Sequence, residues 1–338
     1  MINYYLNFIL FISAIICNFL IYKYGLLIVL KDKDQPQNIH FNATSRLGGL
    51  VIFFNFVLFV LLYERSLTLF LIMSLIFFLP ALYEDLNYDI RPIIRLFLII
   101  IGSLMVVLNI DQLPQFQTIF SSFLNNYYFQ IIFYTLCLAT VINGQNIIDG
   151  TNGLSAFTGI SIFGSLLYIG LLVNDYQLVN ITIITINLLT CFLIFNYPYG
   201  KIFLGDCGSY FIGVLGGYLT IYVFGKYPEL PTWSAVIILY YPTQEVIFSY
   251  FRKIIYKKSP FKADNSHLHL KIFYLLKINK KPSKLYNALV APFLSILWLS
   301  PLALTPFAIQ NHTLAILALI LLGFIYLFLY LAIPNPSE

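Results

Sequence analysis

"FNYPYGKIFLGDCGSYFIGVLGG", residues 195–217, leaves one apolar stretch, crosses a short polar loop and enters the next apolar stretch. Asp206 stands there with Gly205 and Gly208 close on either side. A carboxylate so near greasy sequence costs free energy unless it has a partner or a task. The spacing predicts a helix starting at about Ser209, and the N–H groups at a helix N-terminus favour an anion. Asp206 can therefore cap that helix, or hold a divalent cation that bridges to a phosphate. Lys201, in the same loop, can neutralise phosphate charge.

The flanking apolar runs recur along the chain. Of its 338 residues 60% are hydrophobic and 10% charged, and the mean hydropathy is +0.85. A soluble domain of that composition would have an unmanageably sticky surface. Runs of roughly 20 apolar residues predict transmembrane helices. About eleven occur, near 4–24, 48–63, 67–83, 92–110, 127–143, 154–173, 178–196, 209–225, 232–250, 286–308 and 312–333. They do not alternate as barrel strands do. The expected fold class is an all-α polytopic membrane protein. The first run lacks a basic flank and a small-residue cleavage site, so it reads as a helix and not as a cleaved signal. Cys17, Cys137, Cys191 and Cys207 form no C-x-x-C pair and are expected to be reduced. The net charge of +5 carries no nucleic-acid signature.

The placement of the basic residues predicts orientation, because Lys and Arg gather on the cytoplasmic side. The odd-numbered loops hold Lys31, Lys33, Arg46, Arg91, Arg95, Lys201, Arg252, Lys253, Lys257, Lys258, Lys262, Lys271, Lys277, Lys280, Lys281 and Lys284. The even loops hold Arg65 and Lys226, while Lys23 can snorkel from the first helix. The N-terminus is thus expected outside and the odd loops inside. The polar clusters fall in the same odd loops: "NATSRLGG" (42–49), "YEDLNYDIRP" (83–92), "NGQNIIDGTNGLS" (143–155), "GKIFLGDCGS" (200–209) and "SPFKADNSHLHLK" (259–271). This sorting predicts one domain over 1–338 with one cytoplasmic site built from five loops. The loop at about 251–285 is expected to carry a short helix.

Each cluster has a plain and a chemical reading. Glu84 and Asp85 end an apolar run, with Asp89 four residues on; they can cap a helix or share a cation. Asn143, Asn146 and Asp149 are three apart, which puts them roughly on one side of a helix. Gly150 and Gly153 permit a tight turn beside a ligand, and Asn152 can read a polar edge. Dense amides beside hydrocarbon are costly as mere caps. His267 and His269 make an H-x-H pair without a neighbouring cysteine or third histidine. That suits phosphate or nucleotide better than zinc, and the hard oxygen groups elsewhere favour Mg²⁺, with Mn²⁺ second. Together the clusters suit phosphoryl transfer between a nucleotide-linked donor and a lipid acceptor.

From about Asn42 to Leu270, and most specifically at "NGQNIIDGTNGLS" and "GKIFLGDCGSYFIG", the chain resembles the polyprenyl-phosphate N-acetylhexosamine-1-phosphate transferases, the MraY/WecA-like glycosyltransferase family. "SPFKADNSHLHL" resembles the late histidine motif of the WecA-like branch and lacks the triple histidine of the peptidoglycan branch. The resemblance implies transfer of a sugar 1-phosphate from a UDP-N-acetyl sugar to undecaprenyl phosphate, with Mg²⁺ and release of UMP, at a bacterial inner membrane. It makes Asp206 the principal metal ligand with Asn146 beside it, and matches Asp85, adjoining Glu84, to an essential carboxylate. On the substrate side it sets Asn152 against the uracil, with Asp149 nearby, and His267 and His269 against the donor's phosphates or sugar. Arg46, Arg95 and Lys201 are further candidate phosphate contacts, and a homodimer is among the open oligomeric states. The chain departs from the family at Glu84 and Asn152, where many members have aspartate, and "HFNATSR" follows the early H-x-x-P-T-P-R pattern only loosely. The opposing class is a secondary transporter, for which Glu245, in a run that Pro242 could break, is the candidate intramembrane acid.

Overall fold

The computed structural model describes residues 4–26, 28–29, 44–117, 120–257, 265–277 and 285–334. In chain order the helices are α1 (Tyr4–Tyr24), α2 (Gly48–Leu62), α3 (Thr68–Asp85), α4 (Pro92–Leu108), α5 (Ser121–Leu124), α6 (Tyr127–Ile147), α7 (Leu154–Leu172), α8 (Tyr176–Asn196), α9 (Gly205–Lys226), α10 (Trp233–Ile238), α11 (Tyr240–Ile255), α12 (Leu268–Lys277), α13 (Leu285–Phe293), α14 (Ser295–Trp298), α15 (Ser300–Ala308) and α16 (His312–Ala332). A two-residue antiparallel ladder pairs β1 (Ile28–Val29) with β2 (Thr44–Ser45). The helix expected between Arg252 and Lys284 is α12. Lys31, Lys33, Asn42, Ala43, Lys258, Lys262, Lys280, Lys281 and Lys284 lie outside the described residues.

Every expected apolar run is helical, but the runs differ in kind. Among the described residues seven helices are long and apolar enough to cross a membrane: α1, α3, α6, α7, α8, α9 and α16. An eighth forms if Leu285–Phe293 and Ser295–Ala308, bent by 49°, are one span. α2 and α4 are shorter. The run expected over 232–250 is divided. Pro242 has no N–H to give and its ring crowds the carbonyl four residues back, at Ile238. That is where α10 ends.

Local chemistry sets the other boundaries. Pro92 occupies the first turn of α4, where its missing N–H costs nothing. Asn126 and Asn311 accept backbone N–H groups at the starts of α6 and α16. α9 is the central helix, packed by α2, α3, α6 and α7. Of its apolar stretch 89% is buried, against 22% for α1 and for α16 at the periphery. Close approach is possible because α9 is rich in glycine. A Cβ on Gly49 of α2 would land on the backbone of Gly208.

Polar groups collect at the two ends of this bundle. At the end where α9 finishes, Asp175 caps α8 through Leu178 N–H (3.1 Å) and accepts from Lys226 Nζ (2.7 Å) and Tyr227 Oη (2.9 Å). Burial works against the Asp175 charge, but the Lys226, Leu178 and Tyr227 donors outweigh it and hold its pKa below the ordinary value. The other end, where α9 starts, holds the site.

Candidate active site

Four segments meet at the first turn of α9. Asp85, the last residue of α3, accepts the Asp206 N–H on Oδ1 and the Cys207 N–H on Oδ2, both at 2.9 Å. One carboxylate thus fills two of the orphan donors of another helix. The helix begins at Gly205, four residues before the expected start at Ser209, so Asp206 lies inside the first turn and the cap is supplied from a distance. Gly205 sits at φ +80°, and a Cβ there would stand 2.6 Å from Asp85 Oδ2 and against the Arg46 carbonyl. Only glycine fits.

Arg46 reaches the same place, with Nη1 3.5 Å from Asp85 Oδ1. Its segment is stitched to the loop before α9: Phe203 N–H donates to Ser45 O (2.8 Å), Gly48 N–H to Phe203 O (3.0 Å) and Gly49 N–H to Leu204 O (2.8 Å). Burial opposes the Arg46 charge, but the nearby Asp206, Asp85 and Asp149 carboxylates outweigh it and raise its pKa further. Asn146, at the end of α6, donates from Nδ2 to Asp206 Oδ1 (3.1 Å) and Ser209 Oγ (3.0 Å). Asp149 follows in a 3₁₀ turn, Ile148–Gly150, within electrostatic reach of Asp206 and Asp85. Buried Gln145 ties this turn together, its Nε2 donating to Ser155 O (2.7 Å) and Oγ (2.9 Å) at the start of α7.

Asn152 is woven into a second knot beside the first. Its N–H donates to Asn287 Oδ1 (2.5 Å) and its Nδ2 to Pro198 O (2.8 Å), while Asn196 Oδ1 accepts the Gly153 N–H (2.6 Å). Among the described residues Asn152 Oδ1 is buried with no hydrogen-bond partner, an acceptor suited to a ligand donor. The histidines enter at the start of α12: His267 directly precedes it and His269 lies in its first turn. His269 packs on Gly150, where an added Cβ would stand 2.8 Å from Nε2, and burial pushes its imidazole down to about 4. His267 lies alongside it, ring centroids 5.8 Å apart.

Two expected phosphate contacts have partners of their own, and Arg95 still lies within electrostatic reach of Asp206. Arg95 pairs with Glu84 at 3.4 Å, and the Lys201 ammonium lies over the Tyr22 ring, 5.2 Å from its centroid. Glu245 is not a lone intramembrane acid. It bonds the His267 ring, the Leu268 N–H and the Tyr326 hydroxyl, so the transporter reading loses its main support. Asn196 and Asn287 had no sequence signal beyond being polar in apolar surroundings, Gln145 and Ser209 lay inside quoted motifs without being singled out as site residues, and Glu245 was singled out without its partners.

The donor set suits a hard divalent cation. Asp206 and Asp149 offer carboxylate oxygens, and Asn146 directs its NH₂ at Asp206 and Ser209, which leaves its carbonyl oxygen for a ligand. Among the described residues no three His, Cys, Asp or Glu side chains form a preassembled cage. Mg²⁺ needs none, since it binds through one or two carboxylates plus water and substrate phosphates.

The chain is also similar to known proteins. The sequence model of "Glycosyl transferase family 4" matches residues 67–224. The chain is 26% identical over 240 residues to the undecaprenyl-phosphate alpha-N-acetylglucosaminyl 1-phosphate transferase of Thermotoga maritima, covering 70% of this chain and 71% of that one. It is also 26% identical over 249 residues to a Bacillus subtilis protein named "Probable undecaprenyl-phosphate N-acetylglucosaminyl 1-phosphate transferase", covering 70% and 68%. A bundle of membrane-length helices with acids and amides gathered at one end is thus similar, over its central part, to glycosyl transferase family 4, and the relatives it matches are named as sugar-phosphate transferases.

Proposed function

We propose that this multi-pass membrane enzyme transfers N-acetylhexosamine 1-phosphate, by default that of N-acetylglucosamine, from a UDP-sugar to undecaprenyl phosphate and releases UMP. The reaction is placed at the cytoplasmic face of a bacterial inner membrane, as the first step of a lipid-linked surface glycan. The observation that carries the reading is the convergence of Asp85, Asn146 and Asp206 on one helix start.

In this reading an oxygen of the lipid phosphate attacks the β-phosphorus of the donor, the bond to the UMP oxygen breaks, and UMP leaves with the electron pair. Asp206, Asn146 and Asp149 would hold Mg²⁺, or Mn²⁺ in its place, which when bound supplies neutralisation of the diphosphate charge. The Arg46 guanidinium, aimed into the cluster, contacts phosphate. Asn152 Oδ1 accepts from the uracil N3–H, and His267 and His269 face the donor's phosphates or sugar. Asp85 positions and does not deprotonate. Both its oxygens already accept backbone N–H groups, and a phosphate monoester is mostly ionised at neutral pH, its second pKa being about 6. Glu84 holds Arg95 at the edge of the cluster.

The test is incubation of membranes with undecaprenyl phosphate, Mg²⁺ and a panel of UDP-sugars, reading UMP release and label in lipid. One donor is expected to be consumed, and Asp206→Ala should abolish transfer in a protein that still folds. Undiminished lipid labelling by that variant would remove the site from this reading.

A further inference from the structure

Glu245 is 1% exposed and lies on α11. Its carboxylate is fully engaged by groups from two other helices. Oε1 lies 3.0 Å from His267 Nδ1 and accepts the Leu268 N–H, also at 3.0 Å, at the first residue of α12; Oε2 accepts the Tyr326 hydroxyl of α16 at 2.9 Å. An ionised carboxylate has only acceptors to offer. The contact with His267 therefore requires the hydrogen on Nδ1 and leaves Nε2 as the nitrogen free for a ligand. The surroundings are stiff. Next to Tyr326 on α16, Tyr330 accepts from Arg252 Nη1 on its hydroxyl (2.8 Å) and from Lys271 Nζ on its carbonyl (2.6 Å).

We propose that Glu245, backed by Tyr326, is a positioning residue of the transfer reaction: it locks the His267 imidazole in the Nδ1-protonated form and in one orientation, so that Nε2 meets the donor substrate. The inference rests on the transferase reading above. A carboxylate that only tied α11, α12 and α16 together would matter equally whether or not His267 were present. One that works through His267 has no effect once that ring is gone.

The experiment uses the full chain in lipid nanodiscs, with ¹⁵N-labelled histidine and with His267→Gln identifying the His267 signals. The neutral His267 ring is expected to carry its hydrogen on Nδ1. Glu245→Gln, which places an amide that can also donate, should release the Nε2-protonated tautomer. In transfer assays Glu245→Gln should lower kcat/KM by at least about tenfold. The Glu245→Gln, His267→Gln double variant should be no slower than His267→Gln alone. Tyr326→Phe should cost a few-fold, again only when His267 is present, and it carries the cycle should Glu245→Gln fail to fold. A wild-type ring protonated on Nε2, or losses that multiply in the double variants, would overturn the proposal. The spectrum is recorded without substrate, so it decides the tautomer even if no UDP-sugar is consumed, a result that would end the transferase reading instead.

Discussion

Replacing Asp85 by Asn separates a cap from a base. The native carboxylate accepts the Asp206 and Cys207 N–H groups on its two oxygens. Asparagine keeps one acceptor and turns an NH₂ toward the second N–H. An unsatisfied buried donor costs about 1–3 kcal/mol, and loss of the anion at the helix N-terminus adds about 1 kcal/mol in a buried setting. The start of α9 should therefore open more easily by about 2–4 kcal/mol, which at 1.36 kcal/mol per decade is roughly 30- to 1000-fold faster hydrogen exchange. Exchange mass spectrometry on peptides spanning Leu204–Ser209 reads this directly. UMP release should fall with it, while the pH–rate profile keeps its shape because no base has been removed. Unchanged exchange together with lost turnover would refute the capping argument and give Asp85 a part in the chemistry.

Gly205→Ala should lower both turnover and yield, since left-handed backbone costs a Cβ-bearing residue about 1–2 kcal/mol before the collision with Asp85 and Arg46 is counted; activity per folded molecule after gel filtration checks it. His269 in the folded protein titrates at about 4, below its ordinary 6.5, so the unfolded chain binds more protons between those values. Stability should accordingly fall as pH drops from 6.5 toward 4, and His269→Gln should flatten that slope in thermal unfolding scans. At the far end, Asp175→Ala removes a helix cap and a half-exposed ion pair with Lys226, together about 1–3 kcal/mol. It should lower Tm and leave kcat unchanged, and a matching fall in kcat would join that end of the bundle to the reaction.

Apolar runs made the helices legible in the sequence, and glycines set among acids and amides marked the clusters at the start of α9 and the end of α6. What could not be read is who partners whom. "LGDCGS" signals a helix start with an acid at it, yet nothing local says that the cap arrives from Asp85, 121 positions earlier. Arg95 and Arg46 look alike as basic residues beside a polar loop, but Arg95 pairs with Glu84 at the edge of the acid cluster while Arg46 pairs with Asp85 inside it. Glu245 looked like an isolated membrane acid because its partners, His267 and Tyr326, lie 22 and 81 residues away. Hydrophobic period fixes a helix from its own residues, whereas a hydrogen-bonded site is a property of several helices at once.

The nearly complete enclosure of α9 also bears on how the protein is made. A helix surrounded by α2, α3, α6 and α7 gains little by facing lipid, and α9 is the least apolar of the seven long helices. The peripheral helices α1 and α16 have the apolarity to settle in a bilayer alone. α9 depends on its neighbours already being there, so the segment that carries Asp206 reaches its place in the membrane only as the bundle assembles around it.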